Sequence, residues 1–145
     1  MTETNDLRQI TYVSTASRLY TDDQVVSLLE QARCNNASLG VTGFMVYADG
    51  NIMQIIEGPS ERVGKLFNTI CRDPRHGSVM RVLDTAADAR IFPDWSMGFA
   101  RRDSLKSVDG VIDLREAHEK LAAKSDTPHV VRQILRSFIA NNAVI

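Results

Sequence analysis

Gly40–Pro59 reads GVTGFMVYADGNIMQIIEGP, and the reading of this stretch decides the fold. Val41–Ala48 is a nearly continuous apolar run with a β-branched and aromatic bias, the composition of a buried strand. Asp49-Gly50 follows, a dipeptide that tolerates the positive φ angles of a type I′ turn. Asn51–Glu57 then runs back as the second strand of a hairpin. Alternation puts Ile52, Gln54 and Ile56 on one face and Met53, Ile55 and Glu57 on the other. Gln54 is the odd residue, an amide between two isoleucines. Buried, its oxygen and two N–H donors need partners, because an unpaired polar group costs roughly 1–3 kcal/mol. Two readings stand at this point. Gln54 bonds neighbouring backbone or sits at an edge, or its partner is a ligand.

Upstream, Met1–Leu7 is polar and reads as a leader without the basic and apolar regions of a secretory signal. Arg8–Thr15 reads as a first strand, with Ile10, Tyr12 and Ser14 on one face. Tyr12 is either a packed strand tyrosine with a solvated hydroxyl or a site residue. Thr21–Cys34 reads as a helix: Thr21 and Gln24 fit a capping box, and Val25, Leu28, Leu29 and Ala32 fall on one apolar face. Cys34-Asn35-Asn36 ends it in this reading, since Asn tolerates left-handed geometry. The adjacent amides of Asn35 and Asn36 also suit the polar edge of a ring.

Downstream, Ser60–Arg72 reads as a second helix with Val63, Leu66, Phe67 and Ile70 on one face, stopped by Pro74. Asp73-Pro74-Arg75-His76-Gly77 is a turn of mixed charge, by residue type a solvated loop. Ser78–Ala87 reads as a fourth strand and Ser96–Arg101 as a short fifth, after the turn Phe92-Pro93-Asp94-Trp95. Trp95 and Met97 lie two apart there, which fits core packing as well as a ligand contact. The order β-α-β-β-α-β-β predicts an α+β, ferredoxin-like fold with two helices on one sheet face. The tail from Asp109 adds two C-terminal helices. The first carries Leu114, Ala117, His118 and Leu121 on one face. The second opens at Thr127-Pro128 and aligns Val131, Ile134, Leu135 and Phe138.

Composition excludes several classes. The chain has 145 residues, 43% hydrophobic and 24% charged, with a net charge of −1, which suits one domain with a sizeable core and offers no basic field for nucleic acid. No apolar run is long enough to span a bilayer. Cys34 and Cys71 are far apart, and His76, His118 and His129 lack metal-ligand spacing, so no metal site and a reduced, cytoplasmic setting are expected. There is no G-x-G-x-x-G, Walker A, G-x-S-x-G or H-E-x-x-H sequence. Residue chemistry alone reads as a soluble α+β domain.

An ordered set of segments goes further. Tyr12 in ITYVS, Asn35-Asn36 in ARCNN, Gly40–Gly43 as GVTG, IMQIIEGP around Gln54, DPRH at Asp73–His76 and FPDWSMGF at Phe92–Phe99 together resemble the BLUF family of flavin-using blue-light sensors. The resemblance covers about Arg8–Asp103. It implies a BLUF flavin-binding domain over residues 1–103 and a helical extension over 104–145, packed on the sheet or on a partner. It implies non-covalent FAD, its ring between the two helices, with Asn36 on the polar edge and Asn35 beside it. Gln54 would lie between the ring and the Tyr12 hydroxyl. Asp73, Arg75 and His76 would lie toward the ribityl and phosphate end, and Trp95 or Met97 beside Gln54. Blue light would draw an electron and a proton from Tyr12, and their return would leave Gln54 rearranged and the absorption shifted to the red. Many members have Ser where this chain has Ala32. The resemblance further implies a photoreceptor and no enzyme, acting on an unidentified downstream protein without nucleic acid or membrane, as a homo-oligomer. The rival classes are a ferredoxin-like enzyme acting on a small aromatic substrate and a flavin-free interaction module.

Overall fold

The computed structural model describes residues 6–18, 21–48, 50–93, 98–101 and 111–113, with the separate positions 129, 132, 133, 136 and 137. Along the chain run β1 (Leu7–Ala16), α1 (Asp22–Leu39), β2 (Thr42–Ala48), β3 (Asn51–Pro59), α2 (Ser60–Arg72), β4 (His76–Ala87), β5 (Gly98–Arg101) and β6 (Val111–Asp113). The strands form one sheet in the order β4-β1-β3-β2-β5-β6. The four longer strands pair antiparallel, whereas β5 on β2 and β6 on β5 are parallel. The α+β, ferredoxin-like expectation is met.

The hairpin closes as the sequence predicts. Ala48 pairs with Asn51 across a two-residue loop, and Gly50 takes φ +90°. That register sets everything above it: Tyr47 faces Ile52, Val46 faces Met53, and Met45 faces Gln54. On the other side of β3, Gln54 faces Tyr12. Both helices cover one sheet face. There Ile10, Tyr12, Met45, Tyr47, Ile52 and Ile56 pack against Val25 and Leu29 of α1 and Val63 and Phe67 of α2. The opposite face is equally dry: Phe44, Val46, Met53 and Ile55 are buried, and Phe92 stacks on Phe44 with ring centroids 5.4 Å apart.

Strands β1, β2 and β3 differ from the sequence reading by one or two residues at their ends, and three differences go further. First, α1 does not stop at Cys34-Asn35-Asn36 but continues to Leu39, where Gly40 (φ +70°) supplies the left-handed cap and donates to the Asn36 and Ala37 carbonyls. Leu39 still packs on the core, and that burial outweighs the weak helix propensity of the asparagines. The N-terminal end is as expected, with the Thr21–Gln24 capping box complete. Second, β4 starts at His76, because Thr15 and Ala16 of β1 already pair with Gly77 and His76. Third, Val111–Asp113 is a strand, so the stretch read as helical from Asp109 begins instead by extending the sheet beside β5. Of the first tail helix, Leu114, Ala117, His118 and Leu121 lie outside the described residues. Of the second, His129, Arg132, Gln133, Arg136 and Ser137 are helical, while Val131, Ile134, Leu135 and Phe138 lie outside.

Candidate functional site

A cavity of about 260 Å³ opens between α1, α2 and the sheet. Its floor is Tyr12, Met45, Ile52 and Gln54, neighbours on three adjacent strands. One wall is Leu28, Ala32, Asn35 and Asn36 of α1, and the other is Leu66, Thr69 and Ile70 of α2. Gln31, Asp73, Arg75 and His76 line it as well. Seven of the sequence-predicted site residues, Tyr12, Asn35, Asn36, Gln54, Asp73, Arg75 and His76, therefore line one cavity. Trp95 and Met97 lie outside the described residues.

The floor carries the chemistry. The Tyr12 hydroxyl donates to Gln54 Oε1, and both side chains are buried, at 2% and 5% exposure. The Tyr12 ring is held by Phe67 at 5.7 Å and by His76 at 6.1 Å between centroids. His76 is itself fixed at both nitrogens. The Ile70 carbonyl can only accept, so Nε2 carries the proton and donates to it at 2.7 Å. Nδ1 lies 2.7 Å from the Ser14 hydroxyl, from which it accepts when the ring is neutral. His76 thus ties β1 and the end of α2 to β4 beside the phenol.

On the α1 wall, Asn36 continues the buried stripe Val25–Leu29–Ala32 by one further turn and is 3% exposed, whereas Asn35 is exposed. Asp73 and Arg75 are locked to each other. The Arg75 guanidinium donates to both Asp73 oxygens, at 2.5 to 3.0 Å, and to Gln31 Oε1 at 3.2 Å. Those hydrogen bonds from Arg75 hold the Asp73 carboxyl below its ordinary value, against a smaller opposing effect of burial.

Apolar side chains on two walls with amides at one wall and on the floor fit a flat heteroaromatic ring with a polar edge. The cavity lies just under the roughly 300–1,000 Å³ of drug-sized sites, so it suits the ring of a dinucleotide and not the whole of one. A second hollow of about 430 Å³, lined by Ser17, Arg18, Gln24, Ser27 and Pro74, shares Leu28 and Arg75 with the first. Sequence reasoning missed Met45, Gln31, Thr69 and Ser14. Met45 was within reach, since counting four pairs back from the turn sets it opposite Gln54.

Comparison with known proteins gives the same picture. A family described as BLUF, sensors of blue-light using FAD, matches residues 7–98. The dark-state structure of BlrB, a BLUF protein, is similar at 30% identity and a TM-score of 0.69, over 94% of this chain and 98% of that one. The BlrP1 manganese/cyclic-diGMP complex of Klebsiella pneumoniae is similar at 26% identity and a TM-score of 0.72, over 93% of this chain and 33% of that one. Among curated proteins, the photoactivated adenylate cyclase subunit beta of Euglena longa is 28% identical over 137 residues. The match takes in 94% of this chain but spans only 16% of that subunit's length. The blue light- and temperature-regulated antirepressor BluF of Escherichia coli is 35% identical over 75 residues, which is 49% of this chain and 19% of that protein.

Proposed function

The chain belongs to the BLUF family, the sensors of blue light using FAD, and from that membership we propose that its light-driven switch is the buried pair Tyr12–Gln54. The observation that carries this reading is the hydrogen bond from the Tyr12 hydroxyl to Gln54 Oε1 on the cavity floor. FAD would be held non-covalently with its ring between α1 and α2, Asn36 and Asn35 on its polar edge and Gln54 beneath. Its ribityl and phosphate arm would leave past Asp73, Arg75 and His76 toward the second hollow and Arg18.

Excited by blue light, bound FAD supplies a strong one-electron oxidant beside the phenol. Tyr12 suits that demand: with a reference pKa of about 10, it holds both an electron and a proton to give at neutral pH. Gln54 has one acceptor end and one donor end, so rotation, tautomerism or both can exchange which end meets Tyr12. The exchange changes the hydrogen bonding offered to the ring and so moves the absorption to the red. Trp95 and Met97 are proposed beside Gln54, where either could fill the space its amide vacates. The output is a change in contacts with a downstream protein, made through β5 and residues 104–145, without catalysis, nucleic acid or membrane. Among the described residues no helix is long and apolar enough to cross a bilayer. A cytoplasmic setting and a homo-oligomer belong to the proposed reading.

The test is the light-minus-dark absorption spectrum of purified, FAD-loaded protein. The parent should be yellow and show a red shift that reverses in darkness. A ferredoxin-like enzyme or a flavin-free module would not. Gln54→Leu keeps the volume but replaces a polar group by an apolar one in an apolar strand, so fold and FAD should survive while the switch is lost. Tyr12→Phe should likewise bind FAD and form no red-shifted product. A normal, reversible shift in either variant overturns the assignment of that residue.

A further inference from the structure

Three residues beyond Gln54 on β3, and on the opposite sheet face, Glu57 is 1% exposed. Nothing in the light chemistry uses it. Oε1 accepts from the Ile91 N–H at 2.7 Å and from Gln9 Nε2 at 3.3 Å. Oε2 accepts from the Phe92 N–H at 2.6 Å and from the Thr42 hydroxyl at 3.0 Å. Arg90 closes the group, donating to the Thr42 hydroxyl at 2.9 Å and to the Gly40 carbonyl at 2.7 Å. A buried carboxylate is tolerated only when its oxygens are this fully engaged. The connection from β4 toward β5 is therefore fastened to the central strand chiefly through Glu57, with longer contacts of 3.4 Å from Arg90 Nη1 to the Glu57 carbonyl and from Gln9 Nε2 to the Ala89 carbonyl.

The register gives this fastening a second meaning. Gln54 sits opposite Tyr12 on β1 and Met45 on β2, and Glu57 sits opposite Gln9 on β1 and Thr42 on β2. The same three strands thus carry two rungs, one under the cavity and one on the far face. Both cross-strand neighbours of Glu57 bond it through their side chains. Hydrogen bonds weaken steeply once distance or angle departs from its narrow optimum. A slight slide or twist of β1 or β2 against β3 at the first rung must therefore disturb the second.

We propose that Glu57 is the positioning residue that carries the state of Gln54 across the sheet: illumination loosens its hold on the Ile91 and Phe92 amides and releases the connection leading to β5. The inference rests on the photoreceptor reading. Its test is amide hydrogen exchange resolved at Ile91 and Phe92 in the FAD-loaded full chain, in darkness and under continuous blue light. In the parent, exchange at these two amides should accelerate about tenfold or more in the light, as expected for a local opening. In Glu57→Gln, whose amide has a single acceptor oxygen, exchange should be fast in both conditions while the red shift persists. Should that variant fail to load FAD, Thr42→Val removes one donor, keeps the carboxylate, and should give an intermediate effect. Equal exchange in darkness and light in a parent that shows the red shift overturns the proposal, as does unchanged dark protection in Glu57→Gln. A parent with no red shift overturns the photoreceptor reading instead, so the two failures are distinct results.

Discussion

Asn36 sits where the apolar stripe of α1 would otherwise place another aliphatic residue, and its burial puts an amide on a wall shared with Leu28 and Ala32. Asn36→Ala would remove the polar contact proposed with the flavin ring edge, a cost of roughly 1–3 kcal/mol, or about 5–150-fold in affinity. A flavin titration reads it, and unchanged FAD retention would contradict the role given to Asn36. At this scale the sequence was informative wherever a side chain contradicted its surroundings. Gln54 between isoleucines and Glu57 within an apolar strand are both visible that way. Their partners are less so. The Glu57 oxygens are satisfied by the backbone N–H groups of Ile91 and Phe92, which any residue other than proline could supply and which leave no pattern in the chain.

Elements with a period were legible, and those set by neighbours were not. Helix α2 is bounded as the sequence predicts, because its apolar face repeats cleanly and Pro74 stops it. The end of α1 was misread because asparagine serves both as a cap and as a buried lining residue, and only packing of Leu39 decides between them. Strand β6 has three residues and exists through its register with β5, with no alternation to announce it. Between β2 and β3 the approach is close enough to test. A Cβ added at Gly43 would lie 2.2 Å from the Ile55 carbonyl oxygen. Gly43→Ala must push the ladder apart and should destabilise by about 1–3 kcal/mol or more, as overpacking does. An unchanged urea midpoint would show that the strands yield freely.

At the outer strand β4, the Arg8 guanidinium bonds both Asp84 oxygens, at 2.7 and 2.6 Å, and those bonds hold that carboxyl below the ordinary carboxylate range. A carboxylate whose folded pKa is depressed stabilises the fold above its unfolded pKa and loses that contribution as pH falls through the folded value. Asp84→Asn should therefore lower Tm at pH 7 by the equivalent of at most about 1 kcal/mol. The gap between parent and variant should narrow as pH falls below the ordinary carboxylate range and close once it passes the lowered folded value. A gap that does not narrow as pH is lowered would mean that packing, not charge, is what Asp84 contributes.

For the whole molecule, the sheet has two buried faces and the helices cover only one. Among the described residues outside the sheet, Phe92 stacks on the second face at Phe44. We propose that residues 104–145 supply the rest of that cover, directly or through a second subunit. Deleting Asp109–Ile145 would also strip β6 from β5, and the truncated protein should aggregate or change its assembly state. A soluble truncated protein with the parent's mass by light scattering would contradict this.

The position of β1 inside the sheet also governs when the protein can come into being. Leu7 must wait for Pro59 on one side and for Ala87 on the other. At roughly 5–20 residues per second of synthesis, a nascent β1 stays without either neighbour for several seconds, and its second edge stays open longer still. Contacts so distant along the chain are also the slow kind to form. Refolding should accordingly be limited by the docking of β1 between β3 and β4, with both helices formed early. The Tyr12–Gln54 pair then forms no sooner than this last strand is in place, and a chain emerging from the ribosome stays blind to light until its first strand has found its seat.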